Sequence, residues 1–173
     1  TAMSINCPLI LVPDLELMTM NNVATNENFE KLKSRGIKIL MPPKNQTADS
    51  MVQVDEIVKF SRLLLSTDGP WTGKKVVVTV GATRESIDPV RVITNRSTGL
   101  QGWSIAQAAL DAGAKTVLIT TIHNKPAPYG TEVVKVDNAQ EMKEAVLKEV
   151  GDADVLVMTA EVAFSVFQAS LAV

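Results

Sequence analysis

Residues 76–102 have the sequence VVVTVGATRESIDPVRVITNRSTGLQG. The run of β-branched residues at its start, which Gly81 ends, predicts a β-strand that is buried on both faces. A long polar loop follows. Ser97-Thr98-Gly99 then indicates the start of a helix, because either hydroxyl can accept a hydrogen bond from the unpaired amides of a first helical turn. Glycines at Gly99 and Gly102 allow a neighbouring backbone, or a ligand, to approach closely.

A strand, a loop and a glycine-lined helix start together favour an anion-binding site, because exposed amides and the helix dipole both attract phosphate. The segment contains neither the dinucleotide fingerprint G-x-G-x-x-G nor the P-loop pattern G-x-x-x-x-G-K-[ST]. In both of those motifs the helix begins within a few residues of the strand. The longer loop found here can carry chemistry of its own, which argues against an ordinary cofactor-binding Rossmann domain.

Beyond this segment the sequence alternates regularly between strand and helix signals. Further strands are predicted at residues 115–122, 131–136 and 153–160. A helix over 98–112 is expected to end at Gly113, and a second begins at the capping box 138–141 and ends at Gly151. Right-handed crossovers between such strands give an α/β fold with a doubly wound, Rossmann-like parallel sheet, in which ligands bind at the carboxyl ends of the strands.

Residues 1–66 predict a shorter block of strand, helix, strand and helix. The strands are expected at 7–13 and 37–41, and the helices begin near Thr25 and Asp55, the first ending at Gly36. Two strands cannot bury both sides of a parallel sheet, so we interpret this block as a partial α/β domain. Residues 67–73, rich in glycine and polar residues, are predicted to be a linker to the second domain, residues 74–173.

The composition excludes several classes of function. Apolar residues make up 46% of the 173 residues and charged residues 21%, which is typical of a globular protein. The net charge of −2 gives no electrostatic footprint for nucleic acid or a membrane surface. A lone cysteine, Cys7, excludes an internal disulfide, and the lone His123 is expected to be a solvated loop residue. We therefore expect a cytoplasmic protein with no nucleic-acid partner, no membrane partner and no metal site built from its own residues.

The run GATRESIDPVRVITNRSTG, residues 81–99, resembles the signature of phosphopantothenoylcysteine synthetase, also called phosphopantothenate–cysteine ligase. In bacteria this enzyme is usually the C-terminal half of the bifunctional coenzyme A biosynthesis flavoprotein. The resemblance implies a ligase that activates the carboxylate of 4′-phosphopantothenate with CTP, through an acyl-CMP intermediate, and couples it to cysteine. It also implies Mg²⁺ with the nucleotide and a homodimer. Eukaryotic relatives use ATP, so CTP and ATP both stay open.

The resemblance also assigns roles to residues. Asn95 matches the asparagine that orients the substrate carboxylate, and Arg91 matches an arginine near the phosphorylated substrate and the dimer contact. An amide donor polarises a carboxylate without forming an ion pair that would quench its nucleophilicity. The positions implied to bind the nucleotide are Gly81, Ala82, Thr83, Asp88, Ser97, Thr98, Gly99 and Ala160.

Four positions depart from the family pattern. Leu100-Gln101 stands where the family usually has Lys-Met, so a cation that could bind phosphate is replaced. Glu161 replaces an alanine of the family's A-A-V-A-D segment, and Phe164 replaces its aspartate, which contacts the nucleotide.

The N-terminal block resembles part of the decarboxylase half of the same bifunctional protein. The positions that agree are Pro13, Asn22, Ala24, Thr25, Asn28 and Leu32. Glu16 occupies the place of an asparagine that orients the substrate carboxylate, and it would oppose that group with like charge. We interpret residues 1–66 as a non-catalytic remnant on which no flavin is expected. Cys7 is predicted to be a small buried hydrophobic residue.

Two alternatives to the ligase remain. A binding or regulatory relative that keeps the fold is favoured by Glu16, Glu161 and Phe164. A generic NAD(P)-binding reductase is disfavoured by the missing glycine fingerprint. Without the surrounding motif, Asp88 and Arg91 would be interpreted as a surface ion pair.

Overall fold

The computed structural model describes residues 7–42 and 52–162. The chain divides into two compact units, Thr1–Leu65 and Ser66–Val173. Phe164, one of the departures from the family pattern, lies outside the described residues.

The first unit contains two short parallel strands, β1 (Ile10–Leu11) and β2 (Lys38–Ile39). Its helices are α1 (Leu17–Met20), α2 (Val23–Ser34) and α3 (Val54–Leu65). The order of elements matches the predicted strand, helix, strand, helix pattern, and the four-residue α1 is added to it. The strands are shorter than the sequence predicts.

Local signals explain the ends of α2. The side chain of Asn22 accepts a hydrogen bond from the Ala24 amide at 2.9 Å and caps the helix, which therefore begins before Thr25. Gly36, at φ +85°, ends this segment in the left-handed conformation that the sequence predicts. The prediction for Cys7 is wrong: its side chain is exposed, because β1 begins only at Ile10.

The second unit contains the elements that position the candidate site. In chain order they are β3 (Lys75–Val80), β4 (Glu85–Ser86), β5 (Val92–Ile93), α4 (Leu100–Asp111), β6 (Lys115–Thr120), β7 (Glu132–Lys135), α5 (Ala139–Glu149) and β8 (Val155–Met158). A parallel four-stranded sheet has the order β7-β6-β3-β8. The strands β4 and β5 pair separately as an antiparallel hairpin.

Both faces of this sheet are covered by helices. Successive side chains of a strand point to opposite faces, and those of residues 76–80 are 0% exposed. Val78 packs in one cluster with Ala106 of α4, whereas Val77 packs in another with Met142 of α5. The crossover through α4 leads from β3 to β6, and the crossover through α5 leads from β7 back across to β8. The predicted doubly wound, Rossmann-like α/β fold is confirmed.

The predicted start of α4 is wrong. Helix α4 begins at Leu100, with Gly99 at its N-cap, so neither Ser97 nor Thr98 is the cap residue. Helix α5 ends at Glu149, two residues before Gly151, and the chain continues into a 3₁₀ turn, Val150–Asp152, in which Gly151 does not have a positive φ. Gly113, at φ +89°, does end α4 as predicted.

The segment 67–73, predicted to be a linker, makes ordered contacts within the second unit. The Trp71 amide donates to the Ala112 carbonyl at 2.8 Å, and the Thr72 hydroxyl donates to the Gly69 carbonyl at 2.8 Å. A Cβ atom at Gly69 would overlap the Ala112 carbonyl. This turn is thus packed against the C-terminal end of α4, and glycine is required where the two backbones touch.

Candidate functional site

Strands β6 and β7 are added on one side of β3, and the next strand in the chain, β8, lies on its other side. The order of the strands therefore reverses at β3. Ligands of open α/β sheets bind at this topological switch point, outside the carboxyl ends of the strands. Gly81 ends β3 there at φ +98°, and a Cβ atom would overlap the hydroxyl of Thr121. Glycine is therefore needed at the first of the predicted nucleotide-binding positions.

The segments that follow β3 and β8 remain paired beyond the sheet. The Glu161 amide donates to the Gly81 carbonyl at 2.8 Å, and the Thr83 amide donates to the Glu161 carbonyl at 3.1 Å. The Ala160 amide donates to the Thr79 hydroxyl at 3.3 Å. The side chain of Thr83 is 0% exposed, so at this predicted position it faces the protein and offers no surface to a ligand.

Asn95 lies at the same switch point and is held by its side-chain amide. Its Oδ1 accepts a hydrogen bond from the Ser97 amide at 3.0 Å, and its Nδ2 donates to the Glu161 carbonyl at 3.3 Å. The first contact is a local turn of the kind that asparagine favours, whereas the second joins segments 66 residues apart. A primary amide carries two N–H groups, so a second donor is left for a ligand.

The start of α4 lies beside these residues and has no side-chain cap. Ser97 Oγ accepts from the Gly99 amide at 3.4 Å, and Thr98 Oγ1 accepts from the Leu100 amide at 3.5 Å, distances at which hydrogen bonds are weak. A Cβ atom at Gly99, which has φ +65°, would come within 2.7 Å of Val80 Cγ1. The first turn therefore sits directly on the end of β3, with amides open to an anion.

Asp88 and Arg91 occupy the turn of the β4–β5 hairpin. Asp88 Oδ1 accepts from the amides of Val90 and Arg91 at 2.9 and 2.8 Å, and its Oδ2 accepts from Arg91 Nε at 2.6 Å. These bonds, that from the Val90 amide first, lower the pKa of Asp88 below its usual value of 3.8. The Arg91 side chain is 72% exposed. Asp88 thus shapes the turn, beside which most of the Arg91 side chain is exposed.

Two contacts that the sequence does not predict attach the base of the hairpin to the start of α5. The Arg84 amide donates to the Asp137 carbonyl at 2.9 Å, and Glu85 Oε1 accepts from the Ala139 amide at 2.9 Å. A groove of about 680 Å³ lies alongside, with Met142 and Met158 among its apolar lining residues. Glu85 and Ala139 are 54 residues apart, so no local sequence pattern could have paired them.

The other candidate side chains have structural partners. His123 Nε2 lies 3.2 Å from the Val136 carbonyl oxygen and 3.6 Å from Asp137 Oδ1, so the histidine has partners although its side chain is 41% exposed. Trp103 is buried, and its Nε1 donates to the Pro126 carbonyl at 3.0 Å. Within residues 7–42 and 52–162, no group of three or more His, Cys, Asp or Glu side chains could hold a metal ion. Over the same ranges no helix has the length and apolarity required to cross a membrane.

Two of the departures from the family pattern lie in the described site. Glu161 holds the site together through its backbone, which bonds to Gly81, Thr83 and Asn95, and its exposed carboxylate adds a negative charge there. Leu100, at the place of the family's lysine, is 63% exposed at the start of α4.

Comparison with known proteins gives matches to both halves of the chain. A family model described as DNA/pantothenate metabolism flavoprotein C-terminal domain matches residues 71–169, and one described as Flavoprotein matches residues 1–66. The first match covers the whole sheet and the loop after β3. The second relates the N-terminal block to flavoproteins.

Two curated relatives are bifunctional coenzyme A biosynthesis proteins, both named CoaBC. That of Mycobacterium tuberculosis (strain ATCC 25618 / H37Rv) is 39% identical over 175 residues, which cover 94% of this chain and 42% of the relative. That of Vibrio vulnificus (strain YJ016) is 34% identical over 163 residues, which cover 91% and 41%. The chain thus spans about two fifths of the length of these relatives.

One solved structure is also similar to this chain. The crystal structure of the C-terminal domain of a CoaBC protein is 42% identical to this chain, with a TM-score of 0.50, and the match covers 53% of this chain and 46% of that one. The family match extends over more than half of the sequence and coincides with the sheet that builds the site. The chain belongs to the DNA/pantothenate metabolism flavoprotein family.

Proposed function

We propose that this chain supplies the nucleotide-binding core of a phosphopantothenate–cysteine ligase in coenzyme A biosynthesis, with residues 74–173 as the ligase domain. The relatives' names place them in that pathway. The observation that carries the proposal is the juxtaposition, at one switch point, of the Asn95 amide and the uncapped start of α4. The first suits a carboxylate and the second suits the phosphates of a nucleotide.

Joining a carboxylate to an amine requires activation, because the oxide is a poor leaving group. In the proposed reaction a carboxylate oxygen of 4′-phosphopantothenate attacks the α-phosphorus of CTP, and the bond to pyrophosphate breaks. The amino nitrogen of cysteine then attacks the acyl carbon of the acyl-CMP and loses a proton, and CMP leaves. ATP in place of CTP would follow the same steps with AMP as product.

The protein's part in these steps is to hold two anions close together. The remaining N–H of Asn95 would bind the carboxylate as a neutral donor, and the amides of the first turn of α4, which have no acceptor within the helix, would bind phosphate oxygens. Arg91 would bind the phosphate of 4′-phosphopantothenate. Mg²⁺ would bind to the phosphates of the nucleotide, since the described residues contain no group of three or more His, Cys, Asp or Glu side chains that could hold it.

We also propose that the active form is a homodimer and that the N-terminal block is non-catalytic. The hairpin exposes three large apolar side chains, with Ile87 57%, Val90 90% and Val92 51% accessible. Such a group at the surface is typical of a protein–protein contact. For the N-terminal block, Glu16 supports the absence of decarboxylase activity.

The decisive experiment measures pyrophosphate release by the purified protein from CTP and 4′-phosphopantothenate. We expect Asn95→Asp to reduce turnover by about 10²–10³-fold, because a carboxylate replaces the amide donor and repels the substrate. The control is Asn124→Asp, an exposed loop asparagine, which should leave the rate nearly unchanged. Full activity in Asn95→Asp would overturn the role of Asn95, and no release in the unaltered protein would overturn the ligase.

A non-catalytic relative that only binds ligands is the second candidate. The exposed carboxylate of Glu161 at the switch point, together with the missing lysine at Leu100, favours it. Calorimetric titration with CTP separates the two: binding without pyrophosphate release supports the second candidate, and binding with release rejects it.

A further inference from the structure

The β4–β5 hairpin needs an anchor. Each of its strands contributes only two residues to the pairing, Glu85 with Ile93 and Ser86 with Val92. An isolated two-stranded hairpin is at best marginally stable in water. The hairpin is also a separate sheet from the four-stranded one. The position of the residues it carries therefore depends on contacts at its base.

Glu85 makes such a contact. Its side chain is half-buried, and its Oε1 accepts a hydrogen bond from the Ala139 amide at 2.9 Å. Ala139 is the first residue of α5, where the backbone amides have no acceptor within the helix and the helix dipole favours negative charge. The neighbouring Arg84 amide donates to the Asp137 carbonyl at 2.9 Å. Two bonds from adjacent residues to the same helix start fix both the position and the direction of the strand.

Helix α5 also has capping contacts that do not involve Glu85. Asn138 Oδ1 accepts from the Glu141 amide at 2.8 Å, and Glu141 Oε2 accepts from the Asp137 amide at 2.7 Å. These are the two residues of the capping box that the sequence predicts, although the Glu141 side chain binds the amide before the N-cap and not the N-cap amide itself. The Glu85 carboxylate therefore adds a link to the hairpin at a helix start that Asn138 already caps.

The turn of the hairpin is rigid in its own right. Asp88 binds the amides of Val90 and Arg91 and the Arg91 guanidinium, and the Ile87 amide donates to the Arg91 carbonyl at 2.9 Å. Because these bonds hold the turn together, any displacement of the base of the hairpin would also move Arg91.

We infer that Glu85 is a positioning residue, whose carboxylate fixes the hairpin, and with it Arg91, to the start of α5. The inference rests on the proposed function only for what Arg91 binds. Whether Glu85 anchors the hairpin does not depend on what Arg91 binds, so the anchor and the proposed function can be tested separately.

The first test measures hydrogen exchange of the Ile87 and Ala139 amides in Glu85→Ala and Glu85→Gln. We expect both amides to exchange faster in Glu85→Ala by about tenfold, since a hydrogen bond to a charged group is lost. Glu85→Gln retains a side-chain oxygen acceptor and should recover most of the protection. Glu144→Ala, in which an exposed carboxylate of the same helix is removed, is the matched control and should leave Ile87 unchanged.

The second test measures KM and kcat in the same variants. Glu85→Ala should raise KM for 4′-phosphopantothenate by about tenfold and leave KM for CTP within about twofold, with partial rescue in Glu85→Gln. Unchanged exchange at Ile87 in Glu85→Ala would overturn the anchor. Equal increases in both KM values would overturn the link to Arg91. Absence of turnover in the unaltered protein counts against the proposed function alone, because the exchange measurement still decides the anchor.

Discussion

Two helices begin at the carboxyl edge of the same sheet, and their first turns are built in opposite ways. At the start of α5 the amides of Ala139 and Glu141 are bound by the side chains of Glu85 and Asn138. At the start of α4 the N-cap is Gly99, and no side chain caps the helix. A helix start whose amides are bound by the protein's own side chains cannot take a phosphate, whereas an open one can. At this edge of the sheet, the start of α5 is thus closed by side chains of the protein, whereas the start of α4 is left open.

The largest effect is expected when the open start of α4 receives a side chain at its N-cap. Gly99→Ala should lower the free energy of unfolding by about 2–5 kcal/mol, because the left-handed backbone is strained and the new Cβ would collide with Val80 and Ile122. Gly151→Ala is the matched control. Its Cβ would meet nothing within 4 Å and its φ is not positive, so we expect no loss of stability. Urea denaturation measures both, and equal effects would show that Gly99 is not packed as described.

Removal of a single side-chain oxygen near either helix start should have a smaller effect. Asn138→Ala should cost about 1 kcal/mol, because the Glu141 amide loses its acceptor. Thr98→Ala should change stability by less than about 0.5 kcal/mol, because the Thr98 hydroxyl makes only a 3.5 Å contact to the Leu100 amide. Chemical denaturation of the two variants decides the matter, and a larger loss for Thr98 would mean that α4 is capped after all.

The smallest expected effect concerns carboxylates that lie at neither helix start. Hydrogen bonds lower the pKa of Asp88 in the hairpin, the largest from the Val90 amide, and those from Lys75 and Lys74 lower the pKa values of Asp152 and Asp154. The folded state therefore binds fewer protons than the unfolded one near pH 3.8. Stability from these groups is present above that pH and is lost as the pH falls toward the folded-state pKa values. Thermal unfolding followed from pH 6 to pH 2 should show this decline, and Asp88→Asn should flatten it slightly; an unchanged slope would contradict the assignment.

Much of the fold follows from local patterns. The β-branched run at 76–80 predicts a strand buried on both faces, and its side chains are 0% exposed. The capping box at Asn138 predicts the start of α5, and Gly113 predicts the end of α4. These signals work because each depends on the conformational preference of a few neighbouring residues.

The candidate site was only partly accessible from the sequence. The family resemblance singles out Asn95, but it does not show that the Glu161 carbonyl holds the Asn95 amide. It places Thr83 beside a nucleotide, whereas the Thr83 side chain is buried. It gives no role to Glu85. Each of these features depends on a segment at least 50 residues away, which local propensity does not report.

Local sequence signals are enough to show which segments become strands and helices, and where glycine allows a backbone to turn. Those outcomes depend on steric and hydrogen-bonding preferences within one or two turns of chain. Which helix start, that of α4 or that of α5, stays open depends on tertiary contacts, and so does the attachment of the hairpin. That choice depends on which side chains the sheet order brings to its carboxyl edge, and the order follows from the burial of both sheet faces by α4 and α5.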